Sequence, residues 1–205
     1  MVNEKRVGGL RERGKARRRE AILRAAYRLF AEQGFEATTI AEVAEAAEVS
    51  LRTVTHYFPS KLELALARAE AMADRLAAAL GPRRPDGSRT LDALELWLRE
   101  ELAQRNELDE LSERMFNANP HLRAASNGRL GAAVREGARL FAAETGSDPD
   151  GIGPRVAAAT AAVVIGELFH SPREADLDAA MAFLRAGLAA LGPEAATGTT
   201  EGDHS

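Results

Sequence analysis

Apolar residues recur along this chain at intervals of three and four, and nowhere with the alternation of a strand. Ile22, Ala25, Ala26, Leu29 and Phe30 make one stripe of an amphipathic helix. Gly34 follows where a helix ends in left-handed backbone, with Phe35 placed to fold back onto the last turn. Ile40, Val43 and Ala44 form a second stripe, opened by Thr39 and Glu42 as a capping box. Val54 and Phe58 share one face of a short helix that Ser50 caps and Pro59 stops, because proline lacks an N–H and disfavours helix just before it. Two short helices joined around Glu48 predict a helix-turn-helix.

Ser60 and Glu63 form the next capping box and open a long helix over Lys61–Leu80, with Leu62, Leu66, Ala69, Ala73, Leu76 and Leu80 facing inward. The segment G-P-R-R-P-D-G-S from Gly81 is a loop. Helices follow over Thr90–Gln104, with Leu91, Leu94, Leu98 and Leu102 beside Trp97, and over Glu107–Phe116. Asn119 and Pro120 read as cap and first-turn proline of a helix reaching Thr145. After the loop G-S-D-P-D-G-I-G-P comes an alanine-rich helix over Val156–Phe169, and a capping box at Ser171 and Glu174 opens the last helix, 174–191. The expected fold is all-α, with about nine helices. Residues 1–16 are expected as a disordered basic arm, 17–60 as a DNA-binding domain, 61–191 as a helical body and 192–205 as a disordered tail.

Composition narrows the function. The chain has 205 residues and no cysteine, which excludes disulfides and thiol chemistry and fits a reducing cytoplasm. No stretch of about 18 apolar residues stands out, so no membrane span is expected. Net charge is −4, but the first 19 residues hold 8 basic and 2 acidic side chains. A basic end on an acidic body is the asymmetry expected where one end meets a polyanion. The histidines at 56, 121, 170 and 204 have no metal-ligand spacing, and no catalytic motif appears, so no enzyme, metal or cofactor is expected.

The chemistry sits at the helix-turn-helix. Lys61 falls in the first turn of its helix, where a cation is disfavoured unless a phosphate joins it. Arg52 can meet a guanine with two hydrogen bonds. Arg17, Arg18 and Arg19, with Arg11, Arg13 and Lys15, can lie on phosphate or enter a minor groove, or simply solubilise the arm.

In order and spacing, F-A-E-Q-G-F (30–35), T-T-I-A-E-V-A (38–44) and V-S-L-R-T-V-T-H-Y-F-P-S-K-L-E (49–63) resemble the DNA-binding domain of the tetracycline-repressor (TetR) family of bacterial regulators. The resemblance covers about residues 17–66. It implies that Leu51, Arg52 and His56 face base edges and that Thr39, Thr53, Tyr57 and Lys61 meet phosphate. Thr55 stands where many members carry Tyr. Glu48 stands where many carry Gly, so it must take left-handed backbone or change the turn.

The resemblance also implies a homodimer joined by the last two helices. Small residues at Ala159, Val163 and Gly166 allow close approach, and Leu177, Met181, Leu184 and Leu188 repeat as a bundle seam. Packing within one chain explains the same pattern. Trp97, Met115, Phe116, Asn117, His121, Phe141 and Phe169 are candidate linings of a mainly apolar effector cavity, or ordinary core. The expected function is a cytoplasmic homodimeric regulator, a repressor released from a palindromic operator by a small molecule. The alternative is a helical docking module whose helix-turn-helix binds no operator. Such a module has no need of so basic a first 19 residues.

Overall fold

The computed structural model describes residues 3–81, 89–170 and 173–190, with side chains for all of these except 3–10, 127–130, 132, 174 and 175. Among the described residues there are nine helices and no strand: α1 (Asn3–Glu32), α2 (Ile40–Ala46), α3 (Leu51–Tyr57), α4 (Lys61–Ala79), α5 (Thr90–Ala103), α6 (Glu107–Ala118), α7 (Pro120–Thr145), α8 (Ile152–His170) and α9 (Glu174–Ala190). The 192–205 tail, the Ser171 cap and most of the loop from Gly81 lie outside the described residues.

The expected disordered arm is corrected. α1 begins at Asn3, so most of 1–16 is helical. Lys, Arg and Glu are good helix formers, and a helix polar all round has the same composition as a solvated arm. α8 also starts earlier than expected, at Ile152. Pro154 falls in its first turn, where N–H groups have no intrahelical partner in any case.

The chain divides into two compact units, one from the described residues of 1–74 and 104–129, the other from those of 75–103 and 130–205. The expected boundary at 60/61 therefore differs from the observed division. α6, assigned from sequence to the C-terminal body, packs on α1 instead. Its apolar face explains this: Leu108, Leu111, Met115 and Phe116 are buried in one core with Ile22, Leu23, Tyr27 and Phe30 of α1 and Val43, Val54, Phe58, Leu64 and Leu66. Burial of each large side chain there contributes about 1.5–3 kcal/mol. α4 enters this core by Leu64, Ala65 and Leu66, while Leu62, expected inward, is exposed.

Polar bonds tie the same unit together. Asn106 and Asp109 form a capping box on α6. Asp109 also accepts from the Arg68 guanidinium of α4, through Nε at 2.7 Å. The Tyr27 hydroxyl accepts from the Arg68 N–H at 3.1 Å, and burial pushes its phenol well above the ordinary value.

In the second unit α9 packs on α5 and on α8. Leu91, Leu94, Trp97, Leu98, Phe141, Leu168, Leu177, Met181 and Leu184 are buried there. Arg185 of α9 meets Asp92 and Glu95 of α5, each at 2.7 Å, and Arg99 of α5 meets Asp178 of α9 at 2.6 Å. The hydrogen bonds from Arg185 hold both Asp92 and Glu95 below their ordinary carboxyl pKa values.

Candidate nucleic-acid interface

Local chemistry builds the helix-turn-helix. Thr39 and Glu42 close the expected capping box on α2: the Thr39 hydroxyl accepts from the Glu42 N–H at 3.2 Å, and Glu42 Oε2 accepts from the Thr39 N–H at 2.7 Å. The bond that the Thr39 N–H donates to the carboxylate, with a second from the Thr39 hydroxyl, lowers the Glu42 pKa. The Thr39 hydroxyl also donates to Glu42 Oε2 at 2.8 Å, so its proton is already committed. At the turn, Glu48 takes left-handed backbone, φ 53°. The Val49 N–H then reaches the Ala44 carbonyl at 2.9 Å and closes α2.

Ser50 caps α3 through the Thr53 N–H at 3.1 Å, and its hydroxyl bonds the Thr53 hydroxyl at 2.7 Å. Val54 and Phe58 point into the core, as their spacing requires. Leu51, Arg52, Thr55 and His56 are therefore exposed, with Thr53 and Tyr57 half-buried at the margins. The Tyr57 ring lies edge-on to His56, with centroids 5.7 Å apart. The exposed face presents a guanidinium, a hydroxyl and an imidazole within two turns, groups able to meet base edges or phosphate.

The basic residues of α1 extend this surface. Arg11, Arg13, Lys15, Arg17, Arg18 and Arg19 are all exposed. Arg19 stacks on Phe58 at 5.2 Å, which anchors this stretch to the end of α3.

Lys61 differs from the expectation. Its ammonium donates to the carbonyls of Phe35, Glu36 and Thr38 at 2.8, 3.2 and 3.1 Å. All three of its hydrogens are spent on the α1–α2 loop, so none points outward to phosphate. Asn119 differs too. Its side chain, expected to cap α7, turns back to the end of α1.

The candidate effector linings divide between the two units. Met115 and Phe116 are core of the first unit. Asn117 and His121 are exposed: Asn117 accepts from Arg123, and His121 lies edge-on to Phe35. Trp97, Phe141 and Phe169 belong to the second unit, where Trp97 and Phe169 rings lie 5.9 Å apart. The buried Trp97 indole N–H has no partner among the described residues. A cleft of about 350 Å³ between α8 and α9 is lined by Val163, Val164, Glu167, Leu168, Arg173, Asp176 and Ala180, and by none of these candidates.

The candidate dimer residues separate into two sets. Leu177, Met181 and Leu184 are buried within their own unit, a correction to their assignment as a seam between chains, and Leu188 is half-buried. Ala159, Val163 and Gly166 are exposed. Ile152, Val156 and Phe183 join them as exposed large apolar groups that the sequence reading missed. The signal was present, since 152, 156, 159, 163 and 166 follow helical spacing on one face of α8. By length and composition α8 is also apolar enough to cross a membrane, contrary to the expectation that no segment was.

Residues 22–67 match the model of the bacterial regulatory proteins of the tetR family. Over 199 residues the chain is 34% identical to the HTH-type transcriptional regulator TcmR of Streptomyces glaucescens, covering 91% of this chain and 88% of that protein. The chain belongs to the tetR family. Two solved structures share the fold: NalD of Pseudomonas aeruginosa, a secondary repressor of a multidrug efflux pump, at 24% identity, TM-score 0.55, with 85% of this chain and 96% of that one covered; and GusR of Salmonella enterica, at 21% identity, TM-score 0.58, with 85% and 94% covered. As a tetR-family chain it is a DNA-binding transcriptional regulator.

Proposed function

We propose that this regulator is a cytoplasmic homodimeric repressor that holds a palindromic operator and releases it when a mainly apolar small molecule enters its C-terminal body. The observation that carries the DNA half is α3: Val54 and Phe58 buried, with Leu51, Arg52, Thr55 and His56 left to solvent. Arg52 and His56 read base edges; Thr53 and Tyr57 lie beside phosphate. The basic stretch of α1 adds phosphate contacts. As a helix about 10–12 Å across it is too wide for a minor groove of about 6 Å, so it follows the backbone.

Two heads must sit about 34–36 Å apart to meet successive major grooves, which calls for a second copy. The exposed apolar faces of α8 and α9 support that partner: Ile152, Val163 and Phe183 are 73, 64 and 62% exposed. Faces so apolar on two adjacent helices favour a four-helix seam with their own copy, which also accounts for the membrane-like composition of α8. Trp97, Phe141 and Phe169 supply an aromatic environment for the effector, with the Trp97 N–H, unpaired among the described residues, as a polar anchor. A coupling of about 1–3 kcal/mol between the two ligands would weaken DNA binding about 5–150-fold.

Selection from random duplexes, followed by footprinting, tests the proposal. A dyad-symmetric site bound by a dimer is the expected result. If no sequence is enriched and the chain elutes from heparin without salt dependence, the helix-turn-helix is a docking element and the proposal fails.

A further inference from the structure

The α1–α2 loop supplies no base-reading side chain, yet the pose of α2 and α3 depends on it. Gly34 turns the chain there with φ +89°, and its neighbour Phe35 is held on every side. The Phe35 N–H donates to Asn119 Oδ1 at 2.8 Å. The Phe35 carbonyl accepts from Lys61 Nζ at 2.8 Å, and the same ammonium lies 4.4 Å from the ring centroid. Lys61 continues to the carbonyls of Glu36 and Thr38, so it spans the whole loop. Thr38 is buried and closes the turn internally by donating its hydroxyl proton to the Gly34 carbonyl at 2.8 Å.

Asn119 is 4% exposed, and both ends of its carboxamide are committed. Nδ2 donates to the carbonyls of Phe30 and Met115, each at 2.8 Å. One side chain at the α6–α7 junction thus joins α6, the end of α1 and the loop. Only an amide offers an acceptor to one of these groups and two donors to the others.

We propose that Asn119 and Lys61 are positioning residues that clasp Phe35 by its N–H and its carbonyl and thereby set the pose of the recognition helix on DNA. This rests on the DNA-binding function of α3. It replaces the phosphate role expected of Lys61 with one inside the protein. The two roles predict different losses. A phosphate contact supports all DNA alike, whereas a clasp supports only binding that needs α3 in register.

The test compares Asn119→Ala, Lys61→Met and the wild-type chain on two DNA probes. One is a duplex of about 30 bp selected by the wild-type chain from a random pool, long enough for two half-sites a turn apart; the other is its shuffled counterpart. Each variant is expected to lose about ten-fold or more on the selected duplex and no more than about two-fold on the shuffled one, at a temperature well below its melting point. The double variant should lose little more than the worse single, because both act on one loop. Equal loss on both probes for Lys61→Met would return it to phosphate. Unchanged preference in Asn119→Ala, with only a lower melting temperature, would reduce Asn119 to a stabilising residue. Either result overturns the clasp.

Hydrogen exchange provides a readout without DNA. The Phe35 amide of the wild-type chain should exchange as slowly as amides in the last turns of α1, and the α2–α3 amides should exchange faster in both variants. A Phe35 amide exchanging at loop rate overturns the proposal even if Asn119→Ala does not fold. If the wild-type chain selects no duplex, the DNA function fails and the clasp is judged on exchange alone.

Discussion

The α3 face and the α8 face are both unfinished surfaces, and they are unfinished in opposite ways. α3 buries Val54 and leaves an arginine, a threonine and a histidine outside, with Leu51 beside them. α8 buries Pro154, Ala158, Ala161 and Leu168 and still leaves Ile152, Val156 and Val163 outside. Water solvates most of the first face without penalty, whereas the second keeps a row of apolar side chains wet. The first therefore waits for a charged, hydrogen-bonding partner and the second for an apolar one. A surface is informative about its partner only when its exposed side is compared with what its buried side has already satisfied.

The sharpest way to break this comparison is a pair of aspartates on the α8–α9 side. Leu184→Asp places a charge inside the chain's own core and is expected to unfold the second unit, a loss of several kcal/mol. Val163→Asp, on the exposed face, should leave the fold intact and split the proposed dimer in sedimentation. If Val163→Asp remains dimeric, the α8 face is not the seam.

On the α3 side the expected effect is smaller. Arg52→Ala should cost about 1–3 kcal/mol on the selected operator and relax preference at one base position per half-site. Loss spread evenly over all sequences would make Arg52 a backbone contact.

A smaller effect is expected at the α2–α3 turn. Glu48 holds φ 53°, a conformation in which a side chain costs about 1 kcal/mol and glycine nothing. Glu48→Gly is expected to raise the melting temperature by a few degrees with operator preference unchanged. A fall would mean that Glu48 makes a compensating contact.

The smallest effect concerns the ion pairs joining α5 and α9. Asp92 and Glu95 have folded pKa values depressed by Arg185, so their contribution is present above the unfolded carboxyl values near 4 and is lost as pH falls through the folded ones. Arg185→Gln should lower the unfolding free energy, read by urea titration at neutral pH, by no more than about 1 kcal/mol, since the pairs are partly exposed, and the difference should shrink below about pH 4. A difference that persists in acid would point to lost packing of the arginine stem.

Legibility followed sequence distance. Thr39 with Glu42, Ser50 with Thr53, and Val54 with Phe58 lie three or four residues apart, so their geometry is contained in local spacing. Asn119 meets Phe35 and Phe30 across 84 and 89 residues, and Lys61 meets its carbonyls across 23 to 26. Nothing in a local window distinguishes such residues from a cap or a solvated cation. The stripe Leu177, Met181, Leu184 shows a third case. Its period says that one face is buried but cannot say against which chain. The arm failed for another reason, because charged helix formers satisfy the pattern of a solvated helix and of an unstructured tail equally well.

Trp97 makes the molecule its own reporter. It is the sole tryptophan in the chain, it is buried beside Phe169, and both tyrosines lie in the first unit. Indole emission therefore describes the second unit alone and is blind to the helix-turn-helix. Unfolding followed by that emission and by far-ultraviolet dichroism should coincide if the two units melt together. Two separate transitions would show that the head and the body keep independent thermodynamic accounts.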